Sequence, residues 1–290
     1  MSKRSEEKIN KRNKMIFIII LLTGIFLLIS PIVITIYFRA VQNIEVDKFN
    51  KEANLLTSKE QEEFLKISTE YNKVLANKDI KDEITKKQLM KLNNIQKKGF
   101  VVYNYMFKKG KELGYVEISK IHVRLPIYAG TSEKILKRGA GLLEETSIPV
   151  GGKSTNPVIT AHRGVGNNKL FKDVDKLNTG DIFYIVNSKD RLKYKVRGVY
   201  VVEPEDFSKV QVVKGKDYCS LLTCTPYLTN EKRMIIRGER IGKESRKDYE
   251  YKKRENNKKM LIGIIMATVF IVAVIISLRK KQKCRGKNEN

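Results

Sequence analysis

Cysteine and histidine are scarce in this sequence, and their scarcity excludes several classes of protein. The 290 residues include three cysteines and two histidines. These residues show none of the paired spacings that bind structural zinc. The chain also lacks an RNA-recognition signature and any basic groove interleaved with aromatic residues. The sequence therefore predicts neither a zinc-binding module nor a nucleic-acid-binding protein.

Positive charge, by contrast, is abundant, with a formal net charge of +26. In a soluble protein such a charge would suggest binding to nucleic acid. Here the basic residues are spread along the chain and concentrated beside two apolar stretches, where they would meet anionic lipid head groups. We therefore predict membrane lipids, and no nucleic acid, as partners.

The two apolar stretches, Met15 to Phe38 and Met260 to Leu278, contain no charged residue and are long enough to span a bilayer. A cleavable signal peptide is the alternative for the first, but no small-x-small cleavage pattern follows it. The short tails outside the two stretches each carry six Lys or Arg residues, which favours a cytoplasmic position for both tails. The sequence predicts a cell-membrane protein with two spans and an extracellular domain between them.

Between these stretches the residue pattern changes once. From Ile44 to about Gln96 there is neither Gly nor Pro, and apolar residues recur at helical spacing behind a capping box formed by Thr57 and Glu60 or by Ser58 and Gln61. This predicts a helical annex of two or three helices. A coiled-coil stalk is the alternative, but the pattern does not persist for enough heptads.

From about Gly114 onward, short runs rich in Val, Ile and Tyr alternate with turn-forming residues. Seven or eight strands at this spacing predict an all-β barrel or sandwich. The predicted strands are Gly114 to Ile118, Val123 to Tyr128, Pro157 to Ala161, Ile182 to Val186, Leu192 to Val202, Tyr218 to Thr223 and Met234 to Ile241. The predicted organisation is a cytoplasmic tail (1–14), a transmembrane helix (15–38), an extracellular helical and lid region (39–112), a β-domain (113–242), a basic linker (243–259), a second transmembrane helix (260–278) and a second tail (279–290).

Cys224 is the candidate nucleophile. It lies at the end of an apolar strand that is stopped at Pro226, where side chains reach solvent and substrates. Cys219 is five residues earlier, so its side chain should point to the opposite face, and a small buried residue is the better interpretation for it. Cys284 falls in the predicted cytoplasmic tail. A free thiol in the extracellular domain is therefore predicted.

His162 has the same setting, since it follows the predicted strand from Pro157 to Ala161. A thiol needs a base or a cationic neighbour to act as a nucleophile near neutral pH, and an imidazole supplies either role. The other histidine, His122, is interpreted as structural. Arg237 lies among apolar residues on a strand predicted to run antiparallel to that of Cys224. It is interpreted either as a structural ion-pair partner or as a donor to an oxyanion or a substrate carbonyl.

At these residues the sequence resembles a sortase of class C, the pilin-polymerising branch. The likeness covers roughly Lys51 to Lys243, and two membrane spans also suit that class. The motifs that carry it are Ser220-Leu221-Leu222-Thr223-Cys224, which departs from the family pattern in its first residue, Thr160-Ala161-His162-Arg163-Gly164, and Arg233-Met234-Ile235-Ile236-Arg237-Gly238-Glu239-Arg240.

This resemblance implies an eight-stranded sortase-type β-barrel with an N-terminal helical lid region. It implies cleavage of an LPxTG-like sorting signal between Thr and Gly through a thioester on Cys224, followed by transfer to an amine, for class C a pilin lysine. His162 would move protons, and Arg237 would stabilise the oxyanion or hold the substrate. No metal or organic cofactor is implied. The alternatives are a housekeeping sortase that joins surface proteins to a cell-wall precursor, and an inactive membrane-bound binding module.

One feature departs from the family pattern. Class C members usually carry a lid with an Asp-Pro-aromatic motif over the active site. Here Asp79 is followed by Ile80 and Lys81, so the residues that would hold such a lid in place are missing. We therefore expect a weakly closed lid, and Asp79 is not a predicted catalytic residue.

Overall fold

A computed structural model describes residues 3–76, 90–163, 170–226, 229–256 and 258–259, together with 262 and 266. Its helices are α1 (Lys3–Leu55), α2 (Ser58–Leu75), α3 (Asn94–Lys109) and α4 (Glu133–Leu136), with short 3₁₀ helices at Ser119–Ile121 and Val174–Lys176. The predicted capping box begins α2: the Thr57 side chain accepts a hydrogen bond from the Glu60 backbone N–H, and the Glu60 carboxylate accepts one from the Thr57 backbone N–H. Gly110 ends α3 in the left-handed conformation.

Eight strands form a closed barrel in the order β1-β2-β3-β4-β7-β8-β6-β5. Strand β4 pairs with β7 in parallel, and β7 pairs with β8 antiparallel. The predicted mainly β fold with an eight-stranded barrel is therefore confirmed. The strand bounds are β1 (Glu112–Ile118), β2 (Val123–Ala129), β3 (Ala140–Leu142), β4 (Val158–Thr160), β5 (Ile182–Val186), β6 (Asp190–Val202), β7 (Tyr218–Thr225) and β8 (Lys232–Ser245).

The core fills the barrel because alternate side chains of each strand point inward. Val116, Phe183, Tyr194, Leu221 and Ile236 belong to this cluster, and each is at most 1% exposed. The rings of Phe183 and Tyr194 stack with centroids 5.4 Å apart. The interior is therefore a packed core, and a ligand must approach the barrel from its rim or its outer face.

A buried amide fastens the helical annex to the barrel, and a stack of rings joins its helices α2 and α3. The Asn72 side chain on α2 donates to the Ile148 carbonyl (3.0 Å) and accepts from the Ile148 backbone N–H (2.8 Å). Tyr103 on α3 stacks on Tyr71 at 4.5 Å and on Phe107 at 4.1 Å. Because these contacts are buried, α2 and α3 form one packed unit with the barrel.

The membrane topology predicted from the sequence requires correction. Within the part of the chain that the structure describes, no helix combines the length and the apolar character needed to cross a membrane. This finding contradicts a cell-membrane protein with two spans and an extracellular catalytic domain. Residues 15–38 lie inside α1, which continues in both directions through charged residues. Apart from 262 and 266, residues 260–278 lie outside the described residues.

Two other predictions concern the lid residues and the linker before the second apolar stretch. The lid residues Asp79, Ile80 and Lys81 lie outside the described residues. The segment 243–259, predicted as a linker, contains the end of β8, and residues 246–256 are helical. That stretch lacks Gly and Pro and is rich in Lys, Arg and Glu, all good helix formers. The domain boundaries stay a prediction.

Candidate active site

Cys224 lies near the carboxyl end of β7, on the face that points away from the barrel core. The inward-facing residues of β7 include Cys219 and Leu221, which belong to the buried cluster. Cys224 is half-buried, whereas Cys219 is fully buried, and both are free thiols. Burial, and then the nearby charge of Asp217, raise the pKa of the Cys219 thiol. Cys219 therefore stays a neutral thiol, and Cys224 is the one placed to react.

His162 reaches the same rim because β4 and β7 run parallel. Thr160 pairs with Leu222. Beyond the end of β4, the Ala161 N–H donates to the Leu222 carbonyl at 3.2 Å, and the Thr223 hydroxyl donates to the Ala161 carbonyl at 2.8 Å. Continued by two residues, this register brings His162 level with Cys224. The structure thus brings the predicted thiol and imidazole to one edge of the sheet.

The His162 imidazole also has a carboxylate neighbour that the sequence did not indicate. His162 Nε2 lies 3.5 Å from Glu133 Oε2, without a hydrogen bond, and its side chain is 28% exposed. Glu133 begins the four-residue helix α4, and it also lies 3.4 Å from Lys137 Nζ. No spacing rule links Glu133 to a histidine 29 positions later, so only the tertiary fold reveals the pair.

The arginine predicted from the sequence does not lie beside the thiol. Arg237 pairs with Ser220 across the β7–β8 ladder, four residues from the position opposite Cys224, which is roughly 13 Å along a strand. Its guanidinium lies over the rings of Tyr218 (5.2 Å) and Tyr200 (5.6 Å), and its Nε is buried without a hydrogen-bond partner. Arg237 therefore packs on the outer face, away from the position of the thiol.

Arg233 occupies the position directly across from Cys224. Directly opposed residues of an antiparallel pair project their side chains to the same face, so Arg233 and Cys224 share the outer face at the rim. Arg233 Nη1 donates to the carbonyls of Asn230 (3.0 Å) and Lys232 (3.2 Å), which leaves other donors of the guanidinium for a ligand. The β7–β8 register, which the sequence neighbours of Arg233 do not reveal, is what places it here.

The three side chains form a set with a definite chemistry. A thiol, an imidazole and a guanidinium at one rim can form a thioester, move a proton and stabilise an oxyanion. Among the residues that the structure describes, no group of His, Cys, Asp and Glu could hold a metal ion. The fold and the site therefore define a cysteine-dependent acyl-transfer enzyme.

Comparison with known proteins identifies the family. The sortase domain model matches residues 116–241. Sortase A of Bacillus anthracis is 29% identical over 146 residues, which cover 50% of this chain and 68% of that protein. Streptococcus agalactiae sortase C1 is 36% identical, with a TM-score of 0.61, and the match covers 68% of this chain and 98% of that one. Clostridium perfringens sortase C, solved with the C-terminal cell wall sorting motif, is 38% identical with a TM-score of 0.58, over 68% and 98% of the two chains.

The chain therefore belongs to the sortase family of cysteine transpeptidases, and its structural neighbours are class C sortases. The matched segment begins in β1 and ends in β8, so it includes all or part of every strand of the barrel and all of the candidate site residues.

Proposed function

We propose that this chain cleaves an LPxTG-like sorting signal between Thr and Gly and transfers the acyl group to an amine, namely a pilin lysine. The observation that carries the proposal is that Cys224 lies opposite Arg233, at the rim where His162 follows the β4 strand that pairs with β7. The likeness to sortase C of Clostridium perfringens, whose structure contains the C-terminal sorting motif, supports the substrate class. The likeness to class C enzymes supports the pilin acceptor.

In the first half-reaction the Cys224 thiol gives its proton to His162, its sulfur attacks the Thr carbonyl carbon, and the carbonyl oxygen becomes an oxyanion. His162 then donates a proton to the departing Gly amine, the C–N bond breaks, and a thioester remains. In the second half-reaction the acceptor amine attacks the thioester and gives a proton to His162. The C–S bond breaks, His162 returns the proton to the Cys224 sulfur, and an isopeptide or peptide bond is complete.

We assign the oxyanion-stabilising donor to Arg233 in place of Arg237. A donor must lie about 3 Å from the oxyanion to contribute, and the oxyanion forms at the carbon bonded to Cys224. Arg233 lies across the ladder from that residue, whereas Arg237 is four residues further along β8. Arg237 instead holds the rings of Tyr200 and Tyr218 on the outer face.

The test is a coupled cleavage and transfer assay with the full-length chain. A sorting-signal peptide is incubated with an acceptor peptide that contains a pilin-type lysine, or with a short glycine or cell-wall-type amine. Mass spectrometry follows the thioester on Cys224 and the joined product. We expect a thioester and transfer to the lysine acceptor. Transfer only to the cell-wall-type amine would overturn the pilin assignment, and absence of a thioester with every sorting peptide would overturn the proposal as a whole.

A further inference from the structure

A buried guanidinium connects the segments that carry the thiol and the imidazole. Arg163 follows His162 directly, and its side chain is 11% exposed. Its Nη1 donates to the Thr225 hydroxyl at 2.7 Å, and its Nη2 pairs with Asp175 Oδ2. Thr225 directly follows Cys224 and is buried. One side chain thus contacts the residue after the candidate nucleophile, while its own backbone adjoins the candidate base.

This contact lies where the backbone ladder between β4 and β7 ends. Ala161 is bonded to Leu222 and Thr223 of β7. The carbonyl of the next residue, His162, accepts from Phe171 N at 3.0 Å. The chain therefore turns from β7 toward the Phe171 segment at the residue whose imidazole has to stay close to Cys224. The Arg163 side chain reaches back across this turn to the end of β7.

The third point of attachment is the 3₁₀ helix Val174–Lys176, which carries Asp175. A guanidinium is planar and carries five donors in a fixed fork, so it can bond a hydroxyl on one side and a carboxylate on the other. The ammonium group of a lysine lacks this fork. The bonds to Thr225 and Asp175 therefore fix where the exit of β4 lies relative to the end of β7.

From this geometry we infer that Arg163 is a positioning residue. With Thr225 and Asp175, it holds the His162 imidazole at the distance from the Cys224 thiol that proton transfer needs. The inference rests on the proposed function, because it gives the Cys224–His162 pair the role described there. Misplacement of a reacting group by about 1 Å can lower a rate on the order of a hundredfold. Loss of the Arg163 contacts should therefore affect reactivity more than folding.

The test measures thiol reactivity separately from turnover. In the full-length chain, the rate of alkylation of Cys224 by iodoacetamide is followed against pH, with peptide mapping to separate Cys224 from the other cysteines. The His162→Ala variant lacks the neighbouring imidazole. The change that it causes in the pH of half-maximal alkylation rate is the reference for the other variants. We expect Arg163→Lys, Thr225→Val and Asp175→Asn to shift this pH in the same direction. Their kcat/KM for a sorting-signal peptide should fall by about tenfold to a hundredfold.

Two further variants separate positioning from a general loss of structure. Thr225→Ser keeps the hydroxyl and should restore the profile that Thr225→Val loses. Asp173→Asn removes a carboxylate that pairs with Lys176 (2.8 Å) in the same 3₁₀ turn, and it should leave the alkylation profile unchanged. Should Arg163→Lys fail to fold, Thr225→Val and Asp175→Asn each remove one contact and test the inference separately.

The outcomes are distinct. Wild-type alkylation profiles in Arg163→Lys, Thr225→Val and Asp175→Asn would overturn the inference, whether or not these variants lose thermal stability. Shifted profiles in the three variants, with recovery in Thr225→Ser, support it. If the wild-type chain alkylates at Cys224 with a profile that depends on His162 but cleaves no sorting peptide, the proposed function fails, and the alkylation data still decide the role of Arg163.

Discussion

The two ends of strand β7 present the same side chain, a free thiol, in opposite surroundings. Toward the start of the strand, Cys219 is fully buried in the barrel core, and burial raises the pKa of its thiol. Toward the other end, Cys224 is half-buried and lies across from Arg233, at the rim where His162 follows strand β4. The two cysteines point to opposite faces of β7, and only Cys224 lies near the end of the strand. These two differences make Cys219 a packing residue and Cys224 the candidate nucleophile.

The polar groups of the two ends differ in the same way. Beside the start of β7, Asp217 accepts from Gly152 N (2.6 Å), Arg240 Nε (2.5 Å) and Tyr194 OH (3.4 Å). At the far end, His162 Nε2 and Arg163 Nε are buried without a hydrogen-bond partner. Buried polar atoms normally find partners, and those that do not call for an explanation. The Asp217 carboxylate is thus fully bonded at the first end, whereas these two nitrogens at the second end are not.

The largest expected effect tests the difference between the two thiols of β7. Cys224→Ala should abolish thioester formation and lower the cleavage rate by a factor on the order of 10⁴ or more, as for loss of other nucleophiles. Cys219→Ala should keep the activity and lower the free energy of unfolding by about 1 kcal/mol, because it leaves a small cavity. Peptide cleavage and thermal denaturation of both variants measure this. Loss of activity in a folded Cys219→Ala chain would contradict the assignment.

The next prediction compares the two arginines of β8. Arg233→Lys keeps the charge but loses the planar fork, so kcat/KM should fall by about a hundredfold. Arg237→Lys should lower kcat/KM by less than about fivefold and instead reduce the melting temperature, because the ring contacts are worth about 1 kcal/mol. Kinetics and melting curves of the two variants decide between them. The reverse pattern would return the oxyanion role to Arg237.

A smaller effect is expected from the carboxylate beside His162. Glu133→Gln should lower kcat/KM by about two- to threefold, since exposed ion pairs contribute only about 0.2–1 kcal/mol, and the Glu133 side chain is 64% exposed. Lys137→Met removes the competing cation and should have no effect or a slight opposite one. Added salt should reduce the difference between wild type and Glu133→Gln. A difference that is unchanged in 1 M NaCl (about 3 Å of screening length) would rule out an electrostatic origin.

The smallest effect concerns the side chain of Glu112. Unlike Asp217, this carboxyl group has a buried oxygen without a hydrogen-bond donor. Burial, and then the charges of Glu45 and Glu52, raise the pKa of Glu112 to about 8, and its Oε1 has no hydrogen-bond partner. The folded chain thus keeps a proton that the unfolded chain releases above pH 4.5. The stability contributed by this group is present at low pH and is lost as the pH rises to about 8.

Glu112→Gln stays neutral at every pH, so it should melt a few degrees above wild type at pH 9 and close to it at pH 4. Melting curves at the two pH values give the comparison. Equal differences at both values would show that the ionisation of Glu112 is not the cause. Activity should not change, because Glu112 lies on β1, outside the set formed by Cys224, His162 and Arg233.

Local patterns predicted most of the barrel. The strand Ile182–Val186 has the predicted bounds, and the Thr57–Glu60 capping box begins the helix that it indicated. Strand β3, Ala140–Leu142, was missed because three residues that include a glycine give no alternating pattern. The membrane topology, which was inferred from two apolar stretches and the basic tails beside them, was wrong.

The candidate site was only partly predictable. Cys224 and His162 each follow a local rule, the end of an apolar strand before a turn. Arg233 and Arg237 lie on the same strand and face, and their sequence neighbours do not distinguish them. The β7–β8 register distinguishes them, and it is a property of the pairing between strands. Glu133, Arg163 and Asp175 depend on contacts between distant segments, which no local pattern contains.

The parallel pair of β4 and β7 has a consequence for the order in which the molecule is assembled. Ala161 and Thr223, the contact that fixes the rim, are 62 positions apart in the chain. Closing so long a loop costs entropy before any contact repays it, so such pairings form late in folding. During synthesis the imidazole emerges well before the thiol and the arginine of β8. A chain that is still growing, or is truncated before β7, therefore lacks the pair formed by the Cys224 thiol and the His162 imidazole. The recovery of Cys224 reactivity during refolding can report when the barrel is complete.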